Sequence, residues 1–116
     1  MNIVIVDPDQ EEERLLADVL GRHYDAAKVH CFNDPLMALK FCTYNSVDCL
    51  YTTVSMKRLN GFELGKMLRQ QQPKMELHLI ADDERAKKDA MRIMADSYIT
   101  RPVTADAIRL AEAADW

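Results

Sequence analysis

The residues placed where chemistry would sit lie between Val47 and Leu64, VDCLYTTVSMKRLNGFEL. An apolar, β-branched and aromatic run ends at Thr53, a polar loop follows, the chain turns at Asn60-Gly61, and an amphipathic segment begins. That pattern reads as strand, loop and helix, with the loop at the carboxyl end of the strand, where open α/β sheets bind their ligands. The loop carries Lys57-Arg58, open to two readings: a contact for an anionic ligand or partner, or exposed loop charges. Covalent or cofactor chemistry finds little else. There is no GxGxxG, no Walker motif and no nucleophile–base pair. The loop after the first apolar run holds Asp7, Asp9, Glu11, Glu12 and Glu13, which repel phosphate and argue against a flavin or nucleotide enzyme. Cys31, Cys42 and Cys49 form no CxxC pair and read as buried free thiols, and His23, His30 and His78 are scattered, so no metal site is expected.

The elements that position this loop alternate along the chain. Asn2–Val6 is a continuous apolar run, as in a strand buried on both faces. Asp9, with Glu12 three residues on, resembles a capping box opening a helix through Leu15, Leu16, Val19 and Leu20, with Gly21 near its end. Ala27–Phe32 is a second strand suited to a sheet edge, and Asn33-Asp34-Pro35 starts a helix running through Cys42. Asp48–Thr53 is the third strand, Gly61–Gln71 the third helix, and Glu76–Ile80 the fourth strand. Asp82-Asp83-Glu84 is expected to open a helix through Ala95. Ser97–Thr100 is a fifth strand, Arg101-Pro102-Val103 a turn, and Thr104 the cap of a last helix running toward Ala114. Five strand–helix alternations with short connections predict a parallel sheet covered by helices on both faces.

The 116 residues suit one domain spanning 1–116, large enough for a real core. The net charge of −4 gives no bulk attraction to nucleic acid or anionic membranes. No apolar run approaches a membrane span, and MNIVIVD reads as a strand rather than a signal peptide.

Taken together and in order, VDPDQ, DPLMAL, the glycine of NGFEL eight residues after Thr53, and YITRPV resemble the receiver domain of bacterial two-component response regulators. The resemblance covers essentially the whole chain. It implies the CheY-like, flavodoxin-like doubly wound fold, with five parallel strands in the order 2-1-3-4-5 and five helices on two faces. It also implies a site where a histidine kinase phosphorylates an aspartate at the third strand's end. Acids after the first strand there hold magnesium, and a hydroxyl after the fourth and a lysine after the fifth meet the phosphoryl oxygens.

Against that pattern this chain departs at nearly every position. Thr53 takes the phosphoacceptor's place, and a threonine hydroxyl is not ionised near neutral pH and cannot form an acyl phosphate. Asp7 and the displaced Asp9 are the remnant of the acidic pair, Pro8 standing between them. Ala81 falls at the hydroxyl position and Arg101 at the lysine position, before Pro102, whose preceding bond is cis in the family. Met94 stands where the family often has glycine. The expectation is a degenerate receiver, or pseudo-receiver, with no cofactor and magnesium weak or absent, and not an enzyme.

Two pairs of readings stay open within that frame. Tyr98, at the family's switch aromatic, either sits permanently inward over the space freed by Ala81 or is an ordinary half-buried tyrosine. Arg101 either pairs with Asp7 across the vacated pocket or is solvated. The resemblance further implies a dimer or partner face on the fourth helix, fifth strand and fifth helix. Its charges would be Arg85, Lys88, Arg92, Asp96, Asp106 and Glu112 with Asp115, and the alternative there is a solvated face. The function expected is a cytoplasmic signalling domain, the N-terminal part of a longer response regulator. It would act through protein interaction, a sensor kinase among its partners, and would reach nucleic acid only through an output domain controlling transcription. The alternative is a switch whose vacated pocket binds a small ligand or partner.

Overall fold

The sheet is built around its first strand. β1 (Asn2–Val6) points Val4 and Val6 to one side and Ile3 and Ile5 to the other, and all four side chains are fully buried. A strand apolar on both faces is stable only at the centre of a covered sheet. In the computed structural model, which describes residues 1–113, β1 lies between β2 (Lys28–Phe32) and β3 (Cys49–Thr53). β4 (Glu76–Ala81) and β5 (Ser97–Thr100) follow, giving the parallel order β2-β1-β3-β4-β5. β2 is an edge strand and shows it, with only partial burial along its length.

Two cores form, one on each face. α1 (Gln10–His23) and α5 (Ala105–Ala113) lay Leu16, Leu20 and Ile108 against Ile3, Ile5, Tyr51 and Ile99. α2 (Pro35–Tyr44), α3 (Gly61–Gln71) and α4 (Lys87–Arg92) lay Ala38, Leu64, Leu68 and Ala90 against Val4, Val6, Leu50 and Leu79. The end of the last helix at Ala114, and Asp115 beyond it, lie outside the described residues.

Helix starts follow the sequence signals. Asp9 accepts the backbone N–H groups of Glu11 and Glu12, and Asp34 accepts that of Leu36 with Pro35 in the first turn. Asn60 and Glu63 form a reciprocal capping box at α3. The fourth helix is the exception. It was expected from Asp82 to Ala95 but covers only Lys87–Arg92. The Asp83 carboxylate accepts the Arg85 N–H two residues on, which holds this stretch in a turn rather than a helix. Met94, two residues past the helix, has a left-handed φ of 59°, a conformation suited to the glycine the resemblance implies there. Cys31 also differs from expectation. It is exposed, because β2 lies at the sheet edge and is only partly covered.

The spacing of Thr53 and Gly61 has a steric cause. A Cβ on Gly61 would stand 2.4 Å from the Thr53 carbonyl oxygen and 3.1 Å from the Val54 Cα, so α3 starts against the backbone of β3's end. At Gly65 the obstacle is only the Leu77 side chain, 2.6 Å away. Gly61→Ala should therefore cost about 3 kcal/mol and Gly65→Ala about 1 kcal/mol, because a rotamer relaxes and a carbonyl does not. Urea denaturation of the two variants checks the order; equal midpoints would show that the α3 start moves freely.

Candidate functional site

Asp7 closes β1 and is buried, at 5% exposure. Its backbone continues the ladder, its N–H donating to the Phe32 carbonyl at 3.0 Å. Its Oδ1 accepts the Asp9 N–H at 2.9 Å. Its Oδ2 accepts from Arg101 Nη2 at 2.7 Å. The same nitrogen donates to Thr53 Oγ1 at 3.2 Å. Arg101 thus spans the ends of β1, β3 and β5. Its Nη1 donates to Asp82 Oδ1 at 3.0 Å, and its Nε stands 3.4 Å from Glu12 Oε2.

Electrostatics fit this geometry. Burial works against the Arg101 charge, but the Asp7 and Asp82 carboxylates outweigh it and raise the guanidinium above its ordinary pKa. A planar fork makes these contacts simultaneously, which a compact ammonium does not. Nearby, Asn33 Nδ2 donates to the Asp7 carbonyl at 2.9 Å and to Glu13 Oε2 at 2.8 Å. Burial raises the Glu13 carboxyl, the Asn33 hydrogen bond opposes that, and the Asp7 charge adds to it.

Thr53, Asp7 and Arg101 come together, the paired rather than the solvated of the two readings left open for Arg101; Asp9 does not join them. It is exposed and its Oδ1 accepts the Glu11 and Glu12 N–H groups at 2.9 and 3.2 Å, so its carboxylate serves the α1 cap rather than a remnant acidic pocket. Glu12 and Asp82 join instead. Both were taken as first-turn acids, and their signal is only that each lies within a turn of a strand end facing Arg101. Ala81 is half-buried at the end of β4, where its carbonyl accepts the Arg101 N–H at 2.9 Å, and the Arg101–Pro102 peptide is cis.

Beside Arg101 lies a shallow space of about 410 Å³ lined by Thr53, Ser55, Ala81, Asp83 and Tyr98. Tyr98 is half-buried. Its ring packs against the α2–α3–α4 core and its hydroxyl donates to the Asp83 carbonyl at 2.6 Å. On the other side of the β3–α3 loop is a larger cleft of about 830 Å³ between Pro8, Pro35, Met56 and Phe62. Arg58 at its rim has a left-handed φ of 71° and is 3.5 Å from Asp34 Oδ2, an exposed pair of little energetic weight.

Apart from Lys88, the described charges of the expected dimer face have partners within the chain. Arg85 pairs with Asp83 at 2.7 Å, Arg92 with Asp89 at 3.1 Å, and Asp106 with Arg109. Asp96 binds Arg69 and the Leu77 N–H, and Glu112 binds His23 and the Tyr24 hydroxyl. Lys88 lies exposed on α4.

The response regulator receiver domain family matches residues 3–113. The chain belongs to that family. Receiver domains are signalling modules of two-component systems, and they interact with sensor kinases. The chain is 30% identical over 111 residues to the sensor histidine kinase RcsC of Salmonella typhi, covering 94% of this chain and 12% of that protein. It is 26% identical to the transcriptional regulatory protein YpdB of Escherichia coli, covering 88% of this chain and 42% of that one. The chain thus spans less than half the length of these relatives. The response regulatory domain of MrkE from Klebsiella pneumoniae shares the fold, with a TM-score of 0.86 at 23% identity over 97% of this chain and 93% of that one. Among the described residues, no helix of the receiver is long and apolar enough to cross a membrane.

The Arg101–Asp7 contact generates a stability test. Removing Arg101 leaves a buried carboxylate with only the Asp9 N–H for compensation. Arg101→Met should lower stability by about 3 kcal/mol at neutral pH, the low end for a broken buried pair because Arg101 keeps some solvent contact. Adding Asp7→Asn removes the stranded charge, so the double variant should regain more than half of the loss in urea unfolding. Additive losses would show that the pair is not coupled.

Proposed function

We propose that this receiver works without aspartyl phosphorylation, as a pseudo-receiver acting through protein contacts. The observation that carries the reading is the Arg101 guanidinium lying between Asp7 Oδ2 and Thr53 Oγ1. A hard divalent cation needs several oxygen ligands. Here the Asp7 oxygen that would face it already holds Arg101, Asp9 caps α1, and Thr53 supplies a neutral hydroxyl where the family's carboxylate would stand. Magnesium binding is therefore weak, and Thr53 offers no carboxylate to phosphorylate. With Ala81 in place of a hydroxyl residue, Tyr98 is held by Asp83 in one arrangement, and the domain rests in one signalling state.

The output is a partner or a second copy meeting the α4–β5–α5 face. Met91, Met94 and Leu110 expose apolar surface on these elements and the turn between them, and their charges already pair within the chain. Apolar contact ringed by neutralised charges suits a moderate symmetric interface. The likeness to YpdB supports a place in the cytoplasm as the receiver half of a longer transcriptional regulator.

Backbone-amide NMR before and after magnesium with acetyl phosphate or beryllofluoride tests the first part. Unchanged resonances around Thr53 are expected, and clear shifts there would overturn the pseudo-receiver reading. Light scattering over a concentration series tests the second. Mass should rise with concentration, and Leu110→Glu should lower the self-association at least tenfold; a monomer at all concentrations would remove the homodimer.

A further inference from the structure

The opposite end of the same two strands carries a cluster that the phosphorylation-site question does not touch. Cys49 opens β3 and Glu76 opens β4, and the two are register partners. His78 lies two residues further along β4, so its side chain projects from the same face as Glu76. The Cys49 sulfur, a Glu76 carboxylate oxygen and a His78 ring nitrogen all lie within 4.8 Å of one another. His78 Nε2 stands 3.0 Å from Glu76 Oε1.

Two contacts fix the orientation of the histidine ring. Ser97 Oγ is 2.6 Å from His78 Nδ1, and the Tyr51 ring stacks on the imidazole at 4.4 Å with planes 15° apart. A hydrogen bond at Nδ1 fixes the ring and turns Nε2 toward Glu76 and Cys49, the support that metal-binding histidines characteristically have.

We propose that Cys49, Glu76 and His78 form a zinc-binding site at the amino edge of the sheet. One sulfur, one nitrogen and one oxygen ligand match zinc's preferences, and water completes the tetrahedron. Zinc's bond lengths set neighbouring ligand atoms roughly 3.3–3.8 Å apart. The 3.0 Å and 4.8 Å limits seen here bracket that range, and the exposed Glu76 side chain can swing to meet it. On binding, the Cys49 S–H bond breaks, its proton leaves to solvent and the sulfur lone pair bonds the metal; His78 takes the tautomer with its proton on Nδ1, donating to Ser97 Oγ, so that Nε2 and the Glu76 carboxylate donate lone pairs, and no electron is transferred. The ion ties β3 to β4 at the end remote from Thr53, so the site stands independently of the proposed pseudo-receiver function. It also departs from the sequence expectation of no metal, because residues at 49, 76 and 78 have no recognisable ligand spacing.

The reduced, chelator-treated 116-residue chain is titrated with cobalt(II) and then zinc(II). A thiolate-to-cobalt charge-transfer band is expected to rise to one-to-one stoichiometry and to vanish when zinc displaces the cobalt. The band should persist in Cys31→Ser, which removes the exposed thiol, and be lost in Cys49→Ser. Glu76→Gln, at an exposed side chain that leaves the fold intact, should weaken cobalt binding at least about tenfold. No band in the wild-type chain would overturn the proposal. So would a band lost only in Cys31→Ser, or a Glu76→Gln affinity equal to wild type.

Discussion

A buried carboxylate at the end of the central strand constrains everything around it. Asp7 directly follows β1, which is covered on both faces, so its carboxylate is buried with the strand end. A desolvated charge persists only with a partner. In the receiver chemistry implied by the family, a metal ion meets that need. In this chain Arg101 meets it, reaching from the carboxyl end of β5 past β4 and β3. That reach explains why a guanidinium rather than an ammonium suits the position: one nitrogen spans Asp7 and Thr53 while another meets Asp82.

The substitutions at the site make sense as a set. A carboxylate at position 53 would stand among Asp7, Glu12 and Asp82 with one guanidinium for all four, so like-charge repulsion would mount wherever metal is absent. A threonine removes one negative charge and still offers Arg101 an acceptor. In the proposed reading, Ala81 needs no hydroxyl because there is no phosphoryl group for one to meet. The Tyr98 hydroxyl donates instead to the β4–α4 turn, to the carbonyl of Asp83, whose carboxylate shapes that turn.

Most of the architecture was legible because it depends on local rules. Two-faced apolar runs marked β1 and β3, and caps at Asp9, Asp34 and Asn60 marked three helix starts. The fourth helix was misjudged because acids before a segment signal a helix start and an Asx turn equally well, and only the Asp83–Arg85 hydrogen bond separates the two. At the site, residues tied to strand ends were readable, since strand ends are fixed by the sheet. Side-chain destinations were not. Asp9 and Glu12 lie on the same first turn, yet one carboxylate turns back to cap and the other turns in to Arg101. That choice is made by the position of a residue far along the chain.

The same limit hides the cluster at the other end of the sheet. Sequence spacing finds metal ligands when one turn or one hairpin presents them, because distance along the chain then stands in for distance in space. Cys49 and Glu76 are joined through a whole helical crossover, and only the parallel register of β3 and β4 sets them side by side. Register is fixed by burial of the positions that follow them, Leu50 beside Leu77 and Thr52 beside Leu79. Slipping β4 by one residue would turn Glu76 and His78 to the opposite face and separate both from Cys49. The core that fixes the carboxyl-end pocket of Thr53 therefore also fixes the geometry of the amino-end cluster, and neither can shift without the other.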